Sequence, residues 1–173
     1  DGSLNPNKNH EYDKKGNEIE WSRCNADSSL YFKARKEYDD NGNLTKESKY
    51  NLDSSSFYKF TYKYDNNGNI IEKNWYNADD SLLSKEINRY NDRGKKIESR
   101  KNDAAGSLHY KFTAKYDDKG NMVEYRWYNA DGSLEFKETR QYEYDDHGNW
   151  VKRIDFRNEI PQFILEREYK YYK

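Results

Sequence analysis

With one cysteine, one methionine and two prolines among 173 residues, the chain has almost nothing with which to brace itself covalently. A lone Cys24 excludes an intrachain disulfide and any cysteine-based metal site. No stretch approaches the ~18 consecutive apolar residues of a helical membrane span, so membrane insertion by this segment is not expected. Leu, Ile, Val and Phe together number 26 of 173, too few for a conventional aliphatic core. Low aliphatic content signals disorder only when net charge is also high, and here 31 basic residues nearly cancel 32 acidic ones, leaving -1. Nor does either sign of charge gather into a block. That mixture excludes the basic stripe of a nucleic-acid partner and the patch that an anionic membrane would need. The start, Asp1-Gly2-Ser3-Leu4, has neither an initiator Met nor an apolar signal region and matches the internal Asp131-Gly132-Ser133-Leu134, so the chain reads as a trimmed piece of something longer.

Tyrosine, charge and repetition are abundant instead. Tyr12-Asp13-x-x-Gly16-Asn17 returns at Tyr38, Tyr64, Tyr90, Tyr116 and Tyr144, at spacings of 26, 26, 26, 26 and 28. A second mark keeps the same period: Asn25 to Leu30, Asn77 to Leu82 and Asn129 to Leu134, with weaker copies at Asn51 and Asp103. All nine glycines fall in these two marks. Asp at the first position of a turn and Gly at the fourth is the signature of a type I turn closed by a left-handed residue, the usual bulged hairpin connection. The Tyr-Asp mark keeps its glycine in all six copies, whereas the other admits Ser28, Ser54 and Asp80, so the first turn is the stricter. Two turns per 26 residues leave roughly nine per strand, about 30 Å. Each repeat is predicted to be a long β-hairpin.

Setting Asp opposite the residue after Gly puts Tyr38 across from Leu44. Counting back at constant register pairs Phe32 with Tyr50, Tyr58 with Tyr76 and Tyr110 with Tyr128, and it pairs Arg35 with Glu47. Period-2 alternation then predicts one Tyr-rich face, running through Phe32, Tyr38, Tyr50, Tyr58, Phe60, Tyr76, Tyr110, Phe112 and Tyr128. The opposite face carries the lysine column 33, 59, 85, 111 and 137 with Ile19, Ile71, Ile97, Val123 and Val151. The predicted fold is all-β: an antiparallel meander of tandem 26-residue β-hairpin repeats, about twelve strands forming a twisted, curled, Tyr-rich sheet. One repeat domain, 1–173, is expected, with about six hairpins and an atypical C-terminal cap over 155–173. The charged run from Glu166 to Lys173 suits an exposed edge strand. A longer beat of 52 residues, seen in Trp75-Tyr76-Asn77-Ala78-Asp79 against Trp127-Tyr128-Asn129-Ala130-Asp131, suggests that every second hairpin is more enclosed, with Phe60 and Phe112 better covered than Ala34 and Glu86.

The Tyr-Asp-x-x-Gly-Asn marks resemble the YD repeats of Rhs-type proteins over nearly the whole chain. The resemblance implies an extracytoplasmic bacterial protein, secreted or on the cell surface, that binds carbohydrate or other surface partners or contributes to a large coiled shell. The chain departs from the family pattern in its longer period and at Asn91 and Lys95.

Catalytic chemistry has no visible carrier. His10, His109 and His147 occupy unrelated positions of the repeat, and paired carboxylates such as Asp39-Asp40 and Asp117-Asp118 lack the alternating ligands of a calcium loop, so turn chemistry is their expected role. No enzyme activity, metal or cofactor is expected. The candidate ligand-binding residues are Trp21, Trp75, Tyr125 and Trp127 with Lys59 and Lys111, placed by the constant register on one aromatic and Lys-rich face where a sugar could stack or a protein could dock. The expected function is a non-enzymatic extracytoplasmic binding or adhesion module engaging a glycan or a partner protein; the alternative is a structural spacer or shell fragment with no ligand of its own.

Overall fold

Every Tyr-Asp turn closes through the same two backbone bonds. At the second copy the Gly42 N–H donates to the Asp39 carbonyl (3.1 Å) and the Asp39 N–H to the Asn43 carbonyl (2.9 Å), and the pair recurs at Asp13, Asp65, Asn91, Asp117 and Asp145. These bonds require a left-handed residue at the fourth position, where Gly42 has φ +84°. Asp80, standing in for glycine in a turn of the second kind, is itself at φ 65°. The aspartate side chains complete the turns. Asp39 Oδ1 accepts the N–H groups of Asn41 and Asn43, and Oδ2 accepts from the Asn43 amide at 2.9 Å. Asp13 and Asp65 do the same, and these bonds, that of the asparagine side chain foremost, hold all three carboxyls below their ordinary pKa.

The computed structural model describes residues 8–25, 27, 29–51 and 57–172. The marks at Asp1 to Leu4, Ser28 and Ser54 lie outside them. Thirteen strands follow one another: β1 Lys8–Tyr12, β2 Glu18–Cys24, β3 Leu30–Tyr38, β4 Leu44–Asn51, β5 Phe57–Tyr64, β6 Ile70–Tyr76, β7 Leu82–Tyr90, β8 Lys96–Asp103, β9 Leu108–Tyr116, β10 Met122–Tyr128, β11 Leu134–Tyr144, β12 Trp150–Arg157 and β13 Ile160–Glu166. Their order in the sheet is their order in the chain, an antiparallel meander that does not close on itself. By internal contacts the chain divides into two units, Asp1–Ile87 with Asn102–Gly106 and Asn88–Lys101 with Ser107–Lys173.

The register departs from the constant one. Tyr38 does face Leu44, but Thr45 then has no partner and Glu37 faces Lys46, a one-residue β-bulge immediately after the turn. Ile19, Ile71, Val123 and Val151 are passed over in the same way, so the supposed apolar line of the lysine face is instead the column of bulged residues. Further bulges pass over Tyr31, Leu83 and Glu135 after turns of the second kind. Each bulge moves the pairing by one residue, and one residue exchanges the faces. Phe32 consequently faces Asn51 and Lys33 faces Tyr50; Arg35 faces Ser48, and the expected Arg35–Glu47 pairing is not made.

One tyrosine per repeat ties neighbouring hairpins together. The hydroxyls of Tyr38, Tyr64 and Tyr116 donate to the carbonyls of Glu18, Leu44 and Lys96, each 20 residues earlier. In the last repeat Tyr142, not Tyr144, makes this bond, to Met122. The two extra residues lengthen β11 and carry Tyr144 on to Asp117, to which its hydroxyl donates at 2.5 Å. The 28-residue spacing thus marks one longer strand.

Little is deeply buried. Among the described residues the core consists of Ala34 and Ala114 with Ser48, Asn74, Ser84, Asn88 and Ser99, small side chains overlaid by long ones from adjacent strands. Ala34 is fully covered, facing Trp21 across the ladder, whereas Phe60 and Phe112 are half-buried, as Glu86 is, so the expected better cover of the two phenylalanines does not hold against Ala34, which is small enough to be covered by its neighbours. At the C-terminal end, Asn158 and Glu159, both at positive φ, form a two-residue turn that docks on β11 through Asn158 N–H to Lys137 O (2.8 Å) and Lys137 N–H to Asn158 Oδ1 (2.9 Å). The terminal strand is β13, ending at Glu166; residues 167–172 are not a strand, which corrects the expected edge strand over Glu166 to Lys173.

Candidate binding face

Because paired residues project to the same side of a sheet, the bulges decide which side chains meet. Trp75 faces Phe60 and Ser84, not Lys59; Trp127 faces Phe112 and Phe136, not Lys111. Trp21 faces His10 and Ala34, and Tyr125 faces Ala114 and Glu138. The six expected site residues therefore separate. In the first unit Trp21 and Trp75 share the side of Phe32 and Phe60 while Lys59 lies on the other, and in the second Tyr125 and Trp127 share the side of Phe112 and Phe136 while Lys111 lies on the other. There Lys59 covers the ring of Tyr76 (4.5 Å) and Lys111 that of Tyr128 (5.8 Å). Tyr50, Tyr76 and Tyr128, expected on the Tyr-rich side, belong to this charged side, so the tyrosines divide between the faces.

In the first unit the aromatic side carries Trp21 against Phe32 (ring centres 4.6 Å apart), Phe60 against Trp75 (5.8 Å), and Lys73 above Phe60 (4.6 Å). The second unit is denser. Tyr110 lies 4.8 Å from Trp127, Phe112 lies 5.4 Å from Tyr125, and Phe136 adjoins both Tyr125 (6.0 Å) and Trp127 (6.5 Å). Burial raises the pKa of Tyr125 and keeps its hydroxyl protonated. Arg157 sits over Phe136 at 4.1 Å. Beyond it β13 adds Ile160 and Phe163, 63% and 67% exposed.

The opposite side is organised around glutamates that sequence reasoning did not single out. Glu20 binds Lys33 (2.5 Å) and Arg35 (2.9 Å); Glu72 binds Lys85 (2.7 Å), Lys63 (3.1 Å) and the Asn74 amide (2.9 Å); Glu124 binds Lys115 (3.1 Å) and Arg126 (3.2 Å). Positions 20, 72 and 124 are 52 apart, so the long beat was the available signal. Burial alone would raise the Glu72 pKa, yet the bonds from Lys85, Asn74 and Lys63 hold it down to about 2. Most of this face is thereby satisfied from within.

Among the described residues no group of three His, Cys, Asp or Glu side chains could hold a metal. His10 bonds Glu18 through Nδ1 (2.7 Å) and His147 stacks on Tyr171 (4.0 Å). Among the described residues no helix is long and apolar enough to cross a membrane.

No protein-family model and no curated protein matches the chain. Solved structures with similar folds include the Photorhabdus luminescens Tc holotoxin pore, 14% identical with a TM-score of 0.46 over 92% of this chain and 9% of that one. They also include a TcdB2-TccC3 structure, 11% identical at TM-score 0.36 over 86% and 10%, and a porin-like protein from Bacteroides uniformis, 11% identical at 0.43 over 90% and 85%. The chain spans about a tenth of the toxin chains' length.

Proposed function

We propose that the chain is a non-enzymatic binding module, acting outside the cytoplasm as its YD-type repeats suggest, that engages a partner protein through the aromatic side of β9, β10 and β11 and the apolar residues of β13. The observation that carries this reading is the set Tyr110, Phe112, Tyr125, Trp127 and Phe136, joined by ring contacts and half-buried, with the exposed Ile160 and Phe163 beyond Arg157 and Asp155 of β12. Apolar side chains left open to water, as Ile160 and Phe163 are, are costly unless they are used. The indole of Trp127 lies 4.8 Å from Tyr110 with planes within 19° of parallel and 6.5 Å from Phe136 within 2°, so the rings form one row that a partner surface could lie against.

The test is immobilised protein challenged in parallel with exported proteins and with a glycan array. Protein capture that is lost in Trp127→Ala and Phe163→Ser, with both variants folded, supports the reading. Glycan binding sensitive to the same changes transfers the function to carbohydrate, and capture indifferent to both removes the aromatic face from it. A purely structural role is the second reading, favoured by the Tyr-to-carbonyl bonds, which recur at the same 20-residue separation at Tyr38, Tyr64, Tyr116 and Tyr142.

A further inference from the structure

At three of the Tyr-Asp turns a basic side chain at the third position reaches across to the next turn. Lys15 Nζ donates to the Asp40 carbonyl (2.9 Å), Arg93 donates to the Asp118 carbonyl, and Lys119 Nζ contacts the Gly148 carbonyl (3.4 Å) while lying 3.7 Å from the centre of the Tyr144 ring. At two turns the third position is asparagine, Asn41 and Asn67, too short and uncharged to make the reach, and the step from Asp39 to Asp65 that Asn41 leaves open lies within the first unit. That step is a cleft of about 710 Å³ lined by Asp39, Asn41, Tyr62, Tyr64, Asp65 and Asn66, close in size to the one of about 630 Å³ in which Lys15 stands.

What receives the cation elsewhere is still present here. Asn66 stands 26 residues after Asp40 and 52 before Asp118, so its carbonyl takes the place of the acceptors that Lys15 and Arg93 use. The carboxylates of Asp39 and Asp65 flank it, and their turn bonds keep both ionised. Tyr64 supplies an aromatic wall of the kind over which Lys119 rests, whereas the Tyr62 ring already has Lys73 Nζ 5.7 Å from its centre. Lys63, also in the lining, is held by Glu72 at 3.1 Å.

We propose that this cleft binds a primary alkylammonium group, entering where the chain's own Lys15 stands in the preceding step and Lys119 in the last one. A lysine side chain of a peptide and a free polyamine share that chemistry. The site is independent of the aromatic face, and its failure would leave that reading untouched.

The experiment is an NMR titration of the whole chain with Nα-acetyl-lysine amide, with cadaverine and with the neutral Nε-acetylated lysine amide. Expected is saturable binding of the ammonium compounds at a roughly millimolar dissociation constant, shifting the amides of Asn41 and Asn66. Asn41→Lys, which supplies the missing side chain, should weaken binding at least about tenfold without lowering Tm, while Asn41→Gln keeps it. Equal affinity for lysine amide and cadaverine assigns the site to a single side-chain ammonium, and binding of cadaverine alone assigns it to a polyamine. Equal shifts with the acetylated compound, no saturation, or undiminished binding in Asn41→Lys would overturn the proposal.

Discussion

Replacing Glu72 by Gln removes one charge from the best-connected node of the charged face, and the consequence can be followed with pH. The Glu72 side chain is 16% exposed and is held by Lys85, Lys63 and Asn74. Its ordinary pKa of 4.5 falls to about 2 in the folded chain. A carboxyl whose pKa is lower when folded contributes stability that is complete above its unfolded value and is lost as the pH falls through the folded one. The interval from 4.5 to about 2 corresponds to about 3 kcal/mol, an upper bound because Lys63 is 68% exposed and regains water when its partner goes. Urea unfolding of wild type and Glu72→Gln at pH 7, 4, 3 and 2 isolates this contribution, because the other carboxylates titrate in both proteins. The difference in unfolding free energy should approach 3 kcal/mol at pH 7 and shrink between pH 4.5 and 2. A difference that stays constant over that interval, or is negligible at pH 7, would refute the assignment of Glu72 as a charged structural node.

Two further expectations concern the backbone and the tyrosines. Gly68→Ala should destabilise by about 1 kcal/mol from strain alone, since φ is +80° and an added Cβ would meet only Asn43 Oδ1 at 4.0 Å. Glu159→Gly, at φ 70° in the β12–β13 turn, should stabilise by a similar amount, with thermal unfolding reading both signs. Tyr64→Phe deletes the bond to the Leu44 carbonyl and should cost about 1 kcal/mol in urea titration, with hydrogen exchange quickened on β4; no loss would deny the inter-hairpin role of that hydroxyl.

Strand positions and turns were legible because glycine and aspartate leave little freedom. A type I turn closed by a left-handed residue is written directly in Asp39-x-x-Gly42, and the boundaries of the strands flanking such turns follow from it. The faces were not legible. Thr45, Ile71 and Val123 continue the period-2 alternation as ordinary strand residues would, so nothing in their chemistry announces that each is passed over in the ladder. One skipped residue carries Trp75 from Lys59 to Phe60, and with it the composition of the candidate face. A signal existed in the aromatic residues themselves: pairing Phe60 with Trp75 and Phe112 with Trp127 gathers rings that the constant register scatters among lysines. The end of the chain was hidden for a different reason, since Asn158-Glu159 makes a left-handed turn without glycine.

Cross-strand proton contacts in a nuclear Overhauser spectrum test the bulged register, on which the candidate face depends, most directly. Contacts of Phe60 with Trp75 and of Phe112 with Trp127, together with Lys59 to Tyr76, are the expected result. Contacts of Lys59 with Trp75 and of Lys111 with Trp127 would restore the constant register and take the aromatic face apart.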